Sequence, residues 1–158
     1  QQRNLKNDPF YYKMLIGLGQ TNQEMGFYGE AYSYLIIGKE LYKENNWSSK
    51  DYLQNLNLLF RTLLQTGNYD DASIYLNEII TLNKGLKEYS EMSMYNLQGI
   101  LAYKTGDLKS AESYFSKTIP GKTERIDTEH IEYINNYANV LCDLGKFEIA
   151  ESSYLRVL

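Results

Sequence analysis

Cysteine, histidine and tryptophan each occur once in this chain of 158 residues, and proline occurs twice. A single cysteine, Cys142, allows no internal disulfide and effectively excludes a cysteine-based zinc site. Long apolar runs are missing as well. The longest candidates, YLIIG (34–38) and NLLFRTLL (57–64), fall far short of the roughly 18 residues that a membrane helix needs. Positive charge is not in excess: the net charge is -4 and the pI about 5.1, which argues against a nucleic-acid backbone or an anionic membrane as the main partner. Alanine is scarce, with only six residues, and where those six fall proves informative.

With so little proline, the chain reads as helix after helix. Apolar residues recur at spacings of three and four, as in Leu53, Leu56, Leu59, Phe60, Leu63 and Leu64, and again in Ile131, Ile134, Tyr137, Ala138 and Leu141. No stretch keeps a strand-like alternation. Asp8 followed by Pro9 gives a helix start in which the missing proline N–H costs nothing. Asn68 and Asp107 each follow a glycine and precede an amphipathic run, so one helix ends and the next begins there. The expected helices are 9–25, 28–45, 50–66, 69–84, 88–105, 108–119, 128–144 and 147–158. Linkers are expected at 45–49, 84–87 and 120–127.

These helices repeat. Gly26, Gly67, Gly106 and Gly145 are separated by 41, 39 and 39 residues. Two residues after each stand Tyr28, Tyr69, Leu108 and Phe147. Five after each stand Ala31, Ala72, Ala111 and Ala150, so four of the six alanines share one column. Nine after each come Leu35, Leu76, Phe115 and Tyr154, and seven before come Gly19, Phe60, Gly99 and Ala138. Glycine supplies the left-handed turn that ends a helix. The alanine fits where two antiparallel helices come closest, and the large residue fills the next turn. One such helix pair cannot bury its apolar faces alone, so pairs must stack.

The segment YNLQGILAYKTGDLKSAESYFSKTI (95–119) resembles a tetratricopeptide repeat, and NLLFRTLLQTGNYDDASIYLNEI (57–79) is nearly as close. The resemblance covers about residues 9–158. It departs from the family pattern in its period of 39–41 residues in place of 34, and in having the proline expected after the second helix only at Pro120. Long-period arrays of this kind resemble those of kinesin light chains, polarity scaffolds and peptide-sensing bacterial regulators. The fold implied is an all-α solenoid: a right-handed superhelix of about eight helices in four repeats, at about 9–45, 49–84, 88–119 and 127–158. The chain does not begin with methionine, and the last expected helix stops at Leu158 in mid-period. The expectation is therefore a fragment of a longer protein with a truncated last repeat, able to self-associate through that uncapped C-terminal face.

Chemistry-bearing motifs are sparse. GLGQTNQEMG (17–26) lies inside a helical pattern with no strand before it, so it does not read as a nucleotide fingerprint. His130 opens a helix, Cys142 has no histidine at useful spacing, and Asp70 and Asp71 suit a helix first turn better than an acid–base pair. Tyrosine is abundant at 16 residues, yet Tyr28, Tyr69, Tyr95 and Tyr154 occupy the repeat's packing columns rather than a base-stacking platform. The reading is no enzyme, no cofactor and no metal.

The resemblance implies that the first helix of each pair lines a concave groove. Ten before each glycine are Ile16, Asn57, Asn96 and Asn135. Six before are Gln20, Arg61, Ile100 and Asn139; three before are Gln23, Leu64, Tyr103 and Cys142; two before are Glu24, Gln65, Lys104 and Asp143. Asparagine carries both a donor and an acceptor, so Asn57, Asn96 and Asn135 could pair with the backbone of an extended peptide. The same asparagines could instead bond to neighbouring helices. The expected groove set is Gln20, Gln23, Asn57, Arg61, Asn96, Tyr103, Lys104, Asn135 and Asn139. The expected function is a non-catalytic scaffold that binds a protein or extended peptide segment, with a sensory segment of a larger bacterial histidine kinase or transcriptional regulator as the alternative. A single cysteine suits a cytoplasmic or an extracytoplasmic chain.

Overall fold

The computed structural model describes residues 8–45, 47–121 and 126–155, and among these it holds eight helices and no strand. They are α1 (Pro9–Glu24), α2 (Tyr28–Asn45), α3 (Ser49–Gln65), α4 (Tyr69–Leu86), α5 (Glu91–Lys104), α6 (Leu108–Ser116), α7 (Thr128–Asp143) and α8 (Phe147–Tyr154). Consecutive helices pair as α1–α2, α3–α4, α5–α6 and α7–α8. The chain forms two compact units, residues 1–88 and 89–158. In the first, α2 also packs on α3; in the second, α6 packs on α7.

All four pairs turn in the same way. Gly26, Gly67, Gly106 and Gly145 have φ of 81°, 77°, 82° and 73°, the left-handed region that a Cβ disfavours. The residue after each glycine donates its N–H to a carbonyl five residues back: Phe27 to Asn22, Asn68 to Leu63, Asp107 to Ala102 and Lys146 to Leu141, at 2.8–2.9 Å. This bond satisfies a carbonyl left open at the helix end and reverses the chain within three residues.

Past the turn, Ala31, Ala72 and Ala111 are 0% exposed and Ala150 is 2% exposed. The column holds because a side chain there meets the partner helix. Close approach recurs one column away, where a Cβ on Gly99 would stand 2.6 Å from the Phe115 ring. The interior of the first unit centres on Leu53, Leu56, Leu59, Phe60, Leu76 and Ile79. In the second unit, Ala111, Phe115 and Val140 form one cluster, and Ala138, Leu141 and Ala150 another.

Several local expectations change. Asn68 starts α4 without a side-chain cap; its amide donates to Thr66 Oγ1 at 2.9 Å instead. Residues 84–86, expected in a linker, continue α4, which closes at Lys87 in a left-handed conformation (φ 54°) with Leu86 half-buried. α6 stops at Ser116 rather than 119, where Thr118 is fully buried and turns its hydroxyl back to the Phe115 carbonyl at 2.8 Å, two residues before Pro120. Phe147 is 63% exposed although Tyr28, Tyr69 and Leu108 in its column are half-buried. The expected end of the last helix, 156–158, lies outside the described residues.

Two predictions follow from the packing. Ala72→Leu should destabilise the first unit by about 1–3 kcal/mol through overpacking, measured by chemical denaturation. The second concerns pH. Burial pushes the hydroxyls of Tyr12, Tyr52 and Tyr133 above the ordinary value of 10.0, and the Glu78 and Glu129 carboxylates that accept from Tyr52 and Tyr133 push theirs further. A raised folded pKa means that the contribution of these tyrosines is complete below the unfolded value and is lost as pH rises through the folded one. The melting temperature should therefore be flat in the ionisation of these tyrosines up to about pH 10 and fall above it, as thermal denaturation over a pH series would show.

Candidate functional site

Each first helix must bury one arc against its partner, and the arc left over is the candidate surface. On α1, Gln20 is exposed and donates to Glu24 Oε1 at 2.9 Å, one turn on. Gln23 is half-buried, and its amide donates to the Leu58 carbonyl at 3.2 Å and to Thr62 Oγ1 at 3.0 Å, tying α1 to α3. On α3, Asn57 is half-buried and Arg61, one turn later, is exposed.

The second unit divides its candidates in the same manner. Asn96 is only 5% exposed, and its Oδ1 accepts from Asn136 Nδ2 at 2.9 Å. This asparagine joins α5 to α7, so its oxygen is engaged by the neighbouring helix. The Tyr103 hydroxyl donates to Asp143 Oδ2 at 2.6 Å, and that carboxylate raises the tyrosine pKa. Lys104 is exposed, Asn135 is half-buried, and exposed Asn139 accepts from the Tyr154 hydroxyl at 2.7 Å.

A set of rungs that the glycine columns did not reveal thus runs between first helices of the same unit. Gln23–Thr62, Asn96–Asn136 and Tyr103–Asp143 are joined by Tyr133–Ser93, whose bond is 3.0 Å long. Ser93 Oγ also donates to Glu129 Oε1 at 2.9 Å, and the Tyr133 hydroxyl donates to the same carboxylate. The sequence signal for them is a polar pair separated by one repeat: 39 residues for Gln23–Thr62 and 40 for Asn96–Asn136, Tyr103–Asp143 and Ser93–Tyr133. Side chains held in this way set the register of adjacent first helices. Arg61, Lys104, Asn135 and part of Asn139 remain open on the same helices.

Among the described residues, no three His, Cys, Asp or Glu side chains group so as to hold a metal ion, and no helix is long and apolar enough to cross a membrane. His130 belongs to a helix cap: Asp127 Oδ1 accepts from the His130 N–H at 3.0 Å, which holds the Asp127 carboxyl below its usual value. Cys142 is a half-buried free thiol packed beside the Ala138, Leu141 and Ala150 cluster.

No protein-family profile matches the chain, and no curated protein matches it in sequence. Among solved structures, BtubC (BKLC) from P. vanneervenii is similar in fold, with a TM-score of 0.77 at 18% identity. The similarity covers 94% of this chain and spans 63% of that one. The chain is an all-α helical-repeat protein.

The rungs carry a prediction. Asn96→Ala should destabilise the second unit by about 1–3 kcal/mol, because the Asn136 amide loses its partner in a half-buried position. Asn135→Ala should cost clearly less. Denaturation curves of the two variants, followed by a probe in the second unit, check the difference.

Proposed function

We propose that this chain is a tetratricopeptide-type array and a non-catalytic module that binds an extended segment of a protein partner through the exposed arcs of its first helices. The observation that carries the reading is the division of labour on those helices. One subset of polar side chains ties neighbouring helices together, and other polar side chains on the same helices stay accessible to solvent. In the first unit the exposed group is Arg61; in the second they are Lys104, the open side of half-buried Asn135, and Asn139, whose oxygen also accepts from Tyr154.

The chemistry of those groups defines the ligand. Side-chain amides offer a donor and an acceptor, which suits the N–H and C=O of an extended backbone and selects little by side chain. Arg61 and Lys104 add a cation to each unit, on a chain whose net charge is -4. Two carboxylates on the first helices, Glu24 and Asp143, already accept from Gln20 and Tyr103. An acidic extended segment fits this inventory better than a basic one. Similarity to BtubC supports the helical-repeat frame on which the reading rests, and supports nothing about the ligand.

A panel of extended acidic, neutral and basic peptides of equal length, titrated by fluorescence anisotropy, tests the proposal. The acidic class should bind tightest and weaken steeply with salt. Arg61→Glu combined with Lys104→Glu should weaken it by about tenfold, or roughly 1.4 kcal/mol, with the melting temperature unchanged. Equal binding of all three classes, or an acidic peptide indifferent to the charge reversal, would contradict the proposal.

A further inference from the structure

The corner where the second helix of one pair meets the turn of the next pair recurs in each unit, and the two corners are closed differently. In the second unit it lies between α6 and the turn from α7 to α8. There both carboxylate oxygens of Glu112, six residues past Gly106, accept from the Lys146 ammonium at 2.7 Å. Lys146 directly follows Gly145 and precedes α8. A cation from the chain itself therefore bridges this corner, through charge-assisted bonds.

The first unit has the same turn and different groups. Asn68 stands in the column of Lys146, and Tyr32 in that of Glu112, so both members of the ion pair are replaced. A carboxylate comes instead from Asp71, in the first turn of α4, where the second unit has Ile149. In place of the ion pair there is an open pocket of about 300 Å³, whose lining includes Tyr28, Tyr32, Leu63, Thr66, Asn68 and Asp71.

Asp71 lies close to two phenols. Burial first, and then Tyr75 and Asp71, push the Tyr32 hydroxyl above its ordinary value; burial raises Tyr75 too, and Asp71 adds to it. Yet no cation among the described residues pairs with Asp71. Lys39 is engaged over the Tyr75 ring, 4.7 Å from its centre. Asn68 gives its amide to Thr66 Oγ1 at 2.9 Å, which leaves its carbonyl oxygen as a second acceptor. Asp71 and Asn68 are exposed, and Tyr28 and Tyr32 are half-buried. A carboxylate and an amide oxygen beside two phenol rings suit a group that only donates, carries a positive charge and trails an apolar stem.

We propose that this pocket is a docking site for a lysine side chain of a protein partner, with the ammonium at Asp71 and Asn68 and the alkyl stem along Tyr28 and Tyr32. The partner's lysine does in the first unit what Lys146 does in the second. Every helix that builds the pocket belongs to one unit. The site uses none of Arg61, Lys104, Asn135 and Asn139, so it stands apart from the acidic segment proposed above.

Backbone amide shifts of the isotopically labelled chain, titrated at low salt with acetyl-Gly-Gly-Lys-Gly-Gly-amide, test this. The peptide should move the amides of Tyr28, Tyr32, Asn68 and Asp71 to saturation and leave those of Glu112 and Lys146 in place. The same peptide with its lysine Nε-acetylated should move none of them. Asp71→Asn should weaken the lysine peptide by about tenfold, as the loss of one charge-assisted hydrogen bond does. Asn68→Lys supplies the cation from within, in the column where Lys146 already stands, and should abolish binding with the melting temperature no lower. An acetylated peptide that binds equally, an Asp71→Asn variant at wild-type affinity, or shifts confined to other helices would overturn the proposal. Cadaverine that binds more tightly than the peptide would overturn it too, by giving the pocket to a small free amine.

Discussion

The close approach of two helices at a buried alanine is the contact on which the rest of this structure depends. Ala31, Ala72, Ala111 and Ala150 lie five residues past a left-handed glycine. The turn bond from the following residue fixes the direction in which the second helix leaves. With the helices this near, the large residue one turn on finds its space: Leu35, Leu76 and Phe115 are buried, and in the third pair Phe115 fills the notch left by Gly99. A larger residue at the alanine would separate the helices and empty that space as well. This is why so scarce a residue type is concentrated in one column.

The same geometry decides which side chains are available for function. A first helix that gives one arc to its partner and another to the preceding pair keeps a third arc, and its polar residues go one of two ways. Some reach the next first helix of the unit, as Gln23, Asn96 and Tyr103 do, and there they hold helix against helix. Others, such as Arg61 and Lys104, have long charged side chains at exposed positions. Within each unit, side-chain bonds of 2.6–3.0 Å between neighbouring first helices hold the frame on which the remaining groups stand. Under the proposed function, binding an extended backbone would then require little reorganisation within a unit.

Much of this was legible in the sequence, because it rests on columns that recur. The glycine spacing fixed the turns, and the alanine column fixed the packed face. Eight helices at nearly the expected bounds followed from the apolar period. What did not recur was less legible. Asn57, Asn96 and Asn135 share a column, yet Asn96 is occupied by Asn136, a residue from a different column, so column equivalence could not reveal the bond. Asn68 looked like a capping residue by type, but its amide found Thr66 nearer at hand. Linkers were expected at 45–49, 84–87 and 120–127, and the division into units falls between residues 88 and 89, beside the second of them.

The most direct measurement is a nuclear magnetic resonance titration of the isotopically labelled chain with an extended acidic peptide, following backbone amides and the side-chain amides of asparagine together. The account predicts that the largest shifts fall at Arg61, Lys104, Asn135 and Asn139 and their neighbours on the first helices. The Asn96 amide should move little, since its oxygen is already engaged. Shifts concentrated on α2, α4, α6 or α8, or none up to saturating peptide, would contradict it.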